Sequence, residues 1–268
     1  MKKYYFISGL PRSGSTLLSA ILRQNKNFYA DISSPLSEIT RSSIIHLSNT
    51  ISRLNIDESK RKNAIIGLFE GYYSDVSAKI IFDTSRTWTY HTDILLSLFP
   101  YTKIFCCVRN ISSILNSFEK IIKKNPLYIS SVFNGKDYPT CFSRCEHLMN
   151  ENDGIVSFAY CGLLEAYSSN SQIINFIEYE DLCKYPEKII EKIYNLINEP
   201  YQQHDFNSLN YSNELFDLNC NTKGLHTVGR KVTYKKESII IPQKIYDYYN
   251  NMKLEFWKDK KDFIGSYK

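Results

Sequence analysis

No stretch of this 268-residue sequence is apolar for long enough to cross a bilayer. The first apolar run, from Tyr4, is short and flows straight into a turn-forming loop, without the basic, long apolar and small-residue regions of a secretory leader. Paired cysteines are missing as well. The seven cysteines are odd in number, have no C-x-x-C spacing and include the adjacent Cys106-Cys107 on an expected strand, which favours reduced, buried thiols in a cytoplasm over a disulfide framework or a zinc site. Dense basic runs are absent too: 33 Lys and Arg against 28 Asp and Glu give +5, spread along the chain, so no nucleic-acid surface is expected. A modest positive balance suits attraction of a small, multiply anionic ligand. With 43% hydrophobic and 23% charged residues, the chain reads as one globular domain over 1–268, with an insertion or lid at about 125–155 where Asn125-Pro126, Asn134-Gly135 and Tyr138-Pro139 interrupt any periodic element.

What is present is concentrated near the N-terminus. Tyr4–Ser8 is an aromatic and β-branched strand, Gly9-Leu10-Pro11-Arg12-Ser13-Gly14 a turn, and Leu17, Leu18, Ile21 and Leu22 recur at helical spacing. A strand, loop and helix of this kind direct backbone N–H groups and the helix dipole at one point, which favours an anion. The spacing nearly matches the ATP loop G-x-x-x-x-G-K-[ST], but Ser15 stands where the lysine belongs. Arg12 can supply the missing cation with a planar fork of donors, and Ser13, Ser15 and Thr16 add hydroxyls.

Later strands alternate with helices, which predicts an α/β fold with a central parallel sheet flanked by helices. Lys79–Phe82 is a buried strand ending at Asp83, followed by Arg86 in the next loop. Lys103–Val108 is a continuous apolar run that delivers Arg109, and a helix from about Ser112 carries Ser117 eight residues later. Ile173–Ile177 is a third such strand, ending at Glu178-Tyr179-Glu180-Asp181-Leu182, with Pro186 opening a helix. Helices are also expected from Asp57 to Tyr73, His91 to Leu98, Ser157 to Ser168 and Ile245 to Trp257, with a loop over Asp31–Glu38 and a lysine-rich tail at the end. Ligands of open parallel sheets bind at the carboxyl ends of the strands, so Arg12, Asp83, Arg86, Arg109 and Tyr179 are expected around one crevice. Arg109 and Ser117 form either a phosphate grip, a charged fork plus a neutral donor, or a strand-end arginine on carbonyls beside an exposed serine. Lys223–Val232 gathers two glycines with His226, Arg230 and Lys231, donors suited to a second phosphate, while His226 is equally open to a structural role.

The string Pro11-Arg12-Ser13-Gly14-Ser15-Thr16-Leu17-Leu18 resembles the 5′-phosphosulfate loop of sulfotransferases that use 3′-phosphoadenosine 5′-phosphosulfate (PAPS). Arg109 with Ser117 resembles that family's 3′-phosphate pair, Tyr179-Glu180-Asp181-Leu182 its adenine-facing tyrosine string, and the Lys223–Val232 loop one that closes over the nucleotide in bacterial relatives. The resemblance, to a bacterial or phage-type member, implies a P-loop-like sulfotransferase architecture and in-line transfer of a sulfuryl group to a hydroxyl or amine. Adenosine 3′,5′-bisphosphate would be the product, with no metal. A small-molecule or carbohydrate acceptor is implied. Several branches of the family take the acceptor's proton with a Lys-Thr-His string or a glutamate, and neither stands here. Asp83 is the expected base, oriented by Arg86 or leaving Arg86 to hold an anionic acceptor. Asp83 is equally readable as a structural carboxylate paired to Arg86, in which case the base is Glu38, His91 or another group. A magnesium-dependent P-loop kinase using Asp83, and a nucleotide-binding module without catalysis, are the alternatives.

Overall fold

Strand β1 (Lys3–Gly9) is buried on both faces after its first residue, as a central parallel strand must be. It lies in the middle of a five-stranded sheet in the order β2-β3-β1-β4-β5, in a computed structural model that describes residues 2–49, 56–209, 211–259 and 264. β2 is Phe28–Ala30, β3 Ile80–Thr84, β4 Ile104–Val108 and β5 Ile174–Glu178, and every pairing is parallel. The described α-helices are α1 (Ser15–Leu22), α2 (Leu36–Asn49), α3 (Glu58–Tyr72), α4 (Thr92–Leu98), α5 (Ile111–Lys124), α6 (Cys141–Leu148), α7 (Ile155–Asn170), α8 (Tyr179–Lys184), α9 (Pro186–Leu196), α10 (Glu214–Asn219) and α11 (Gln243–Asn251), with short 3-10 turns between some of them. This is the α/β architecture expected from the alternation of elements.

Alternate residues of each strand feed two cores. Tyr4 and Phe6 point with Ile81, Ile104 and Phe176 into one that α3, α4, α5 and α7 cover, while Tyr5 and Ile7 join Phe82, Phe105 and Ile177 under α1 and α9. Each fully buried Phe or Ile contributes about 1.5–3 kcal/mol, so the sheet and its carboxyl edge are rigid supports.

Four details depart from the expectations. The loop after Asp31 ends at Pro35, not Glu38: the Pro35 carbonyl accepts the Ile39 N–H at 3.0 Å, so the proline opens α2 and does not break a helix. The 125–155 stretch holds a short 3-10 turn at Ser131–Phe133 and α6, with Phe133, Cys145 and Leu148 built into the first core. The terminal helix stops at Asn251, and a separate turn at Phe256–Asp259 carries Trp257 into the same core. The lysine-rich tail falls largely outside the described residues.

The fourth departure is Asp83. Its carboxylate is fully buried and accepts Trp88 Nε1–H at 2.6 Å, Ser34 Oγ–H at 2.6 Å and Tyr73 O–H at 2.5 Å. Burial raises its pKa, opposed by these three donors. Its partners are therefore neutral donors and not Arg86, and its oxygens reach no cavity. Asp83 ties β3 to α3 and to the Trp88 turn, which withdraws it from the expected role of base. Replacing Asp83 by Ala should leave those donors unpaired and lower stability by about 3 kcal/mol or more. Chemical denaturation checks this: the midpoint should fall at an unchanged m-value.

Candidate functional site

The loop from Gly9 to Gly14 is shaped by close approaches. At Gly9 (φ +109°) a Cβ would sit 2.2 Å from the Cys107 carbonyl oxygen, so only glycine lets β1 leave the sheet this near β4. Gly14, also left-handed at φ +95°, starts α1, and a Cβ there would lie 2.9 Å from the Tyr179 ring. The loop and the Tyr179 string are thereby brought together. Arg12 itself has φ +59°, a conformation costing a non-glycine residue of order 1–3 kcal/mol and concentrated at functional sites. Pro11 and Ser13 are buried beneath the loop, with Ser13 Oγ–H donating to the Pro11 carbonyl at 3.3 Å. The first intrahelical bond runs from Leu18 N–H to Gly14 O, which leaves the N–H groups of Ser15, Thr16 and Leu17 outside the α1 ladder.

A cavity of about 430 Å³ opens over this helix end, walled by Arg12, Gly14, Ser15, Thr16, Arg109 and Tyr179 among others. Arg12 is partly buried and bonded to neutral groups, Ser117 Oγ at 3.2 Å and the Leu225 carbonyl. Burial, and then the charge of Arg109, lower its pKa to about 10, so it is cationic at neutral pH and held in a poorly hydrated place. Ser117 thus turns to Arg12 and not to Arg109, although all three border the same cavity.

Arg109, 5% exposed, lies over the Tyr179 ring with its guanidinium carbon 4.1 Å from the ring centre. Its Nε donates to Glu180 at 3.2 Å and its Nη2 to Glu237. Glu237 also accepts from Asn116 Nδ2 at 3.0 Å and Lys120 Nζ at 3.4 Å, so a carboxylate sits in a cradle of three donors on the cavity wall. Asn116 binds the same strap twice more, through the Ser238 carbonyl and the Ile240 N–H. Neither Asn116 nor Lys120 stands out in the sequence, although Lys120 lies about one helical turn from Ser117 on the same helix. Glu237 has no sequence signal at all.

The Lys223–Val232 loop contributes His226, whose Nδ1 is 2.7 Å from Asp217 Oδ1 and whose backbone N–H also bonds Asp217. Asp217, buried at the C-terminal half of α10, is a partner that sequence alone does not reveal. Burial lowers the His226 pKa; Asp217 opposes this, and the charges of Arg12 and Arg86 add to it. Lys231 borders the large cavity, whereas Arg230 is exposed and is not among its wall residues.

A second cavity of about 190 Å³ lies beside the first, under Ser8, Ser33, Thr84, Ser85, Phe216 and Cys220. The two share Ser15, Arg86, Val132, Leu225 and His226. Arg86 borders both spaces and is exposed, and desolvation by the surrounding walls lowers its pKa. Glu38 and His91 border neither cavity. The arrangement can hold an elongated polyanion in the larger space and bring it against a small molecule in the other, with an imidazole at the join.

The profile of the sulfotransferase family matches residues 5–203. Among solved structures, the chain is similar to a sulfotransferase domain from the curacin biosynthetic pathway, with 17% identity, TM-score 0.52, and 96% of this chain and 93% of that one covered. Sulfotransferase STF9 from Mycobacterium avium is a more distant match, at 13% identity and TM-score 0.47 over 75% of this chain and 65% of that one. No curated protein matches the chain in sequence. The first structural likeness supports the fold, and the match over most of the chain settles the family: this protein belongs to the sulfotransferases.

Proposed function

We propose that the chain is a PAPS-dependent sulfotransferase of a cytoplasm, acting as one domain on a hydroxyl or amine of a small acceptor. One observation carries the reading: a polyanion-sized cavity at the phosphosulfate loop and a smaller, hydroxyl-lined cavity share a wall that contains Ser15, Arg86 and His226. When bound, the donor supplies a sulfuryl group and leaves as adenosine 3′,5′-bisphosphate.

The residues of the larger cavity fit that nucleotide. Arg12 and the free N–H groups of Ser15, Thr16 and Leu17 neutralise charge at the 5′ end, an electrostatic role worth roughly 10²–10³ in rate per donor. Pro11, Ser13 and Gly14 act through the backbone that shapes this cradle. Ser117 orients Arg12. Tyr179 offers a ring face and Arg109 a fork, and the cradle around Glu237 marks the seat of a 3′-phosphate, with Lys231 nearby. Arg230 lies outside this set.

His226 is the group we assign to the acceptor's proton. With Nδ1–H donated to Asp217, the Nε2 lone pair is the free one, and a depressed pKa keeps it available at neutral pH. A kinase reading loses its magnesium ligand, because Asp83 is saturated inside the core. A non-catalytic nucleotide-binding module would bind adenosine 3′,5′-bisphosphate and transfer nothing.

Arg12→Ala tests the loop: calorimetric binding of adenosine 3′,5′-bisphosphate should weaken and sulfuryl transfer should fall about 100-fold or more; unchanged values refute the assignment. The pH profile tests the base. In kcat/KM for PAPS, which reports the free enzyme, activity should rise with pH through a midpoint below the ordinary histidine value of 6.5. Because Asp217 raises the His226 pKa, Asp217→Asn should move that limb to lower pH while reducing the rate. Glu237→Gln should tighten adenosine 3′,5′-bisphosphate by several-fold, since a neutral amide competes less well than a carboxylate for the cradle; weaker binding would mean that Glu237 supports the site and does not compete for it.

A further inference from the structure

The smaller cavity carries information about the acceptor, and the inference drawn from it rests on the sulfotransferase reading above. Its wall has hydroxyl side chains from Ser8, Ser33, Thr84, Ser85 and Ser131, one cation, Arg86, and no Asp or Glu. Five of the ten salt bridges found among the described residues involve Arg109, Arg144, Lys120 or Lys123, and none involves Arg86. Among the described residues the side-chain hydrogen bonds to Arg86 go to its main-chain carbonyl, from Ser8 Oγ–H at 3.1 Å and Thr89 Oγ1–H at 3.0 Å, which fixes the residue's backbone and leaves its guanidinium to the cleft. An arginine without a carboxylate partner is a strong donor to a planar oxyanion.

Thr84 supplies an independent observation. It is only 7% exposed, it borders the same cavity, and its Oγ1 has no hydrogen-bond partner among the described residues. A buried hydroxyl left unpaired costs about 1–3 kcal/mol and calls for a partner that arrives from outside. Neither Arg86 nor Thr84 is satisfied by the protein, and both sit at the carboxyl end of β3, across the cavity wall that also holds His226.

We propose that the acceptor is a small hydroxy or amino compound bearing a carboxylate or phosphate, with the anion bound by Arg86 and a further polar group hydrogen-bonded to Thr84. Selection is electrostatic: a neutral analogue leaves Arg86 unpaired and is rejected, as sites built to pair a polar group reject ligands that lack it. The size agrees, since about 190 Å³ is below the ~300–1,000 Å³ of pockets for drug-sized ligands. Anchoring the anion at Arg86 leaves the reacting group to face the shared wall and His226.

The test uses the full chain saturated with adenosine 3′,5′-bisphosphate, titrated calorimetrically with two matched pairs: 4-hydroxybenzoate against 4-hydroxybenzamide, and glycerol 3-phosphate against glycerol. At least one anionic member should bind ten-fold or more tighter than its neutral counterpart, and the pair showing it names the anion. In Arg86→Gln that preference should vanish while nucleotide affinity stays within two-fold. Thr84→Val removes an unpaired hydroxyl, so it should retain full thermal stability yet weaken the preferred probe several-fold. The proposal is overturned if no anionic probe is preferred, if the preference survives in Arg86→Gln, or if that variant loses ten-fold in nucleotide affinity, which would assign Arg86 to the donor. Failure of the wild-type chain to bind the nucleotide would instead refute the donor cavity, and the four probes, titrated alone, would still decide the role of Arg86.

Discussion

The site depends on how three guanidinium groups at one sheet edge are compensated. Arg109 is matched by Glu180 and Glu237, whereas Arg12 meets only a serine hydroxyl and a carbonyl, and Arg86 has no ion pair among the described residues. For Arg12, partly buried without a counter-charge, that withdrawal from water is unfavourable, and the rigid cores on both faces of the sheet hold the strand ends that carry these groups. In the proposed function an arriving polyanion would recover that energy, and preference for ligands with several negative charges would be a property of β1, β3 and β4 together and of no single loop.

Much of this was legible in the chain. The loop between Gly9 and Gly14, the apolar runs that become β3, β4 and β5, and the positions of Arg12, Arg86, Arg109 and Tyr179 at strand ends follow from local pattern plus the geometry of parallel sheets. Asp83 was misread for a physical reason. A carboxylate at a strand end has the right address for chemistry, but whether it faces the crevice or the core depends on Trp88, Tyr73 and Ser34, which come from separate segments. Asp217 and Glu237 were invisible on the same ground, since they meet His226 and Arg109 only after α10 and the irregular C-terminal segment fold back over the sheet. Pairings made by loops of long sequence separation have no periodic signature.

The backbone at Arg12 and the closeness of Gly14 to Tyr179 express one constraint in two places. The loop is forced into left-handed geometry so that the turn between β1 and α1 fits under an aromatic ring delivered by α8. The strain is held by packing below, where Pro11 and Ser13 are buried, and the result is a cradle set before any ligand arrives. Preorganisation of this kind reduces the cost of binding without adding contacts.

Asn116 gives the irregular segment over the cavity a particular mechanical character. One side chain, itself buried, grips Glu237, the Ser238 carbonyl and the Ile240 N–H. If, as proposed, a ligand anion takes the place of the carboxylate, a single one of these ties is severed and the other two are spared. Entry would then need only a pivot of one side chain about a pinned hinge, without large-scale loosening of the C-terminal third.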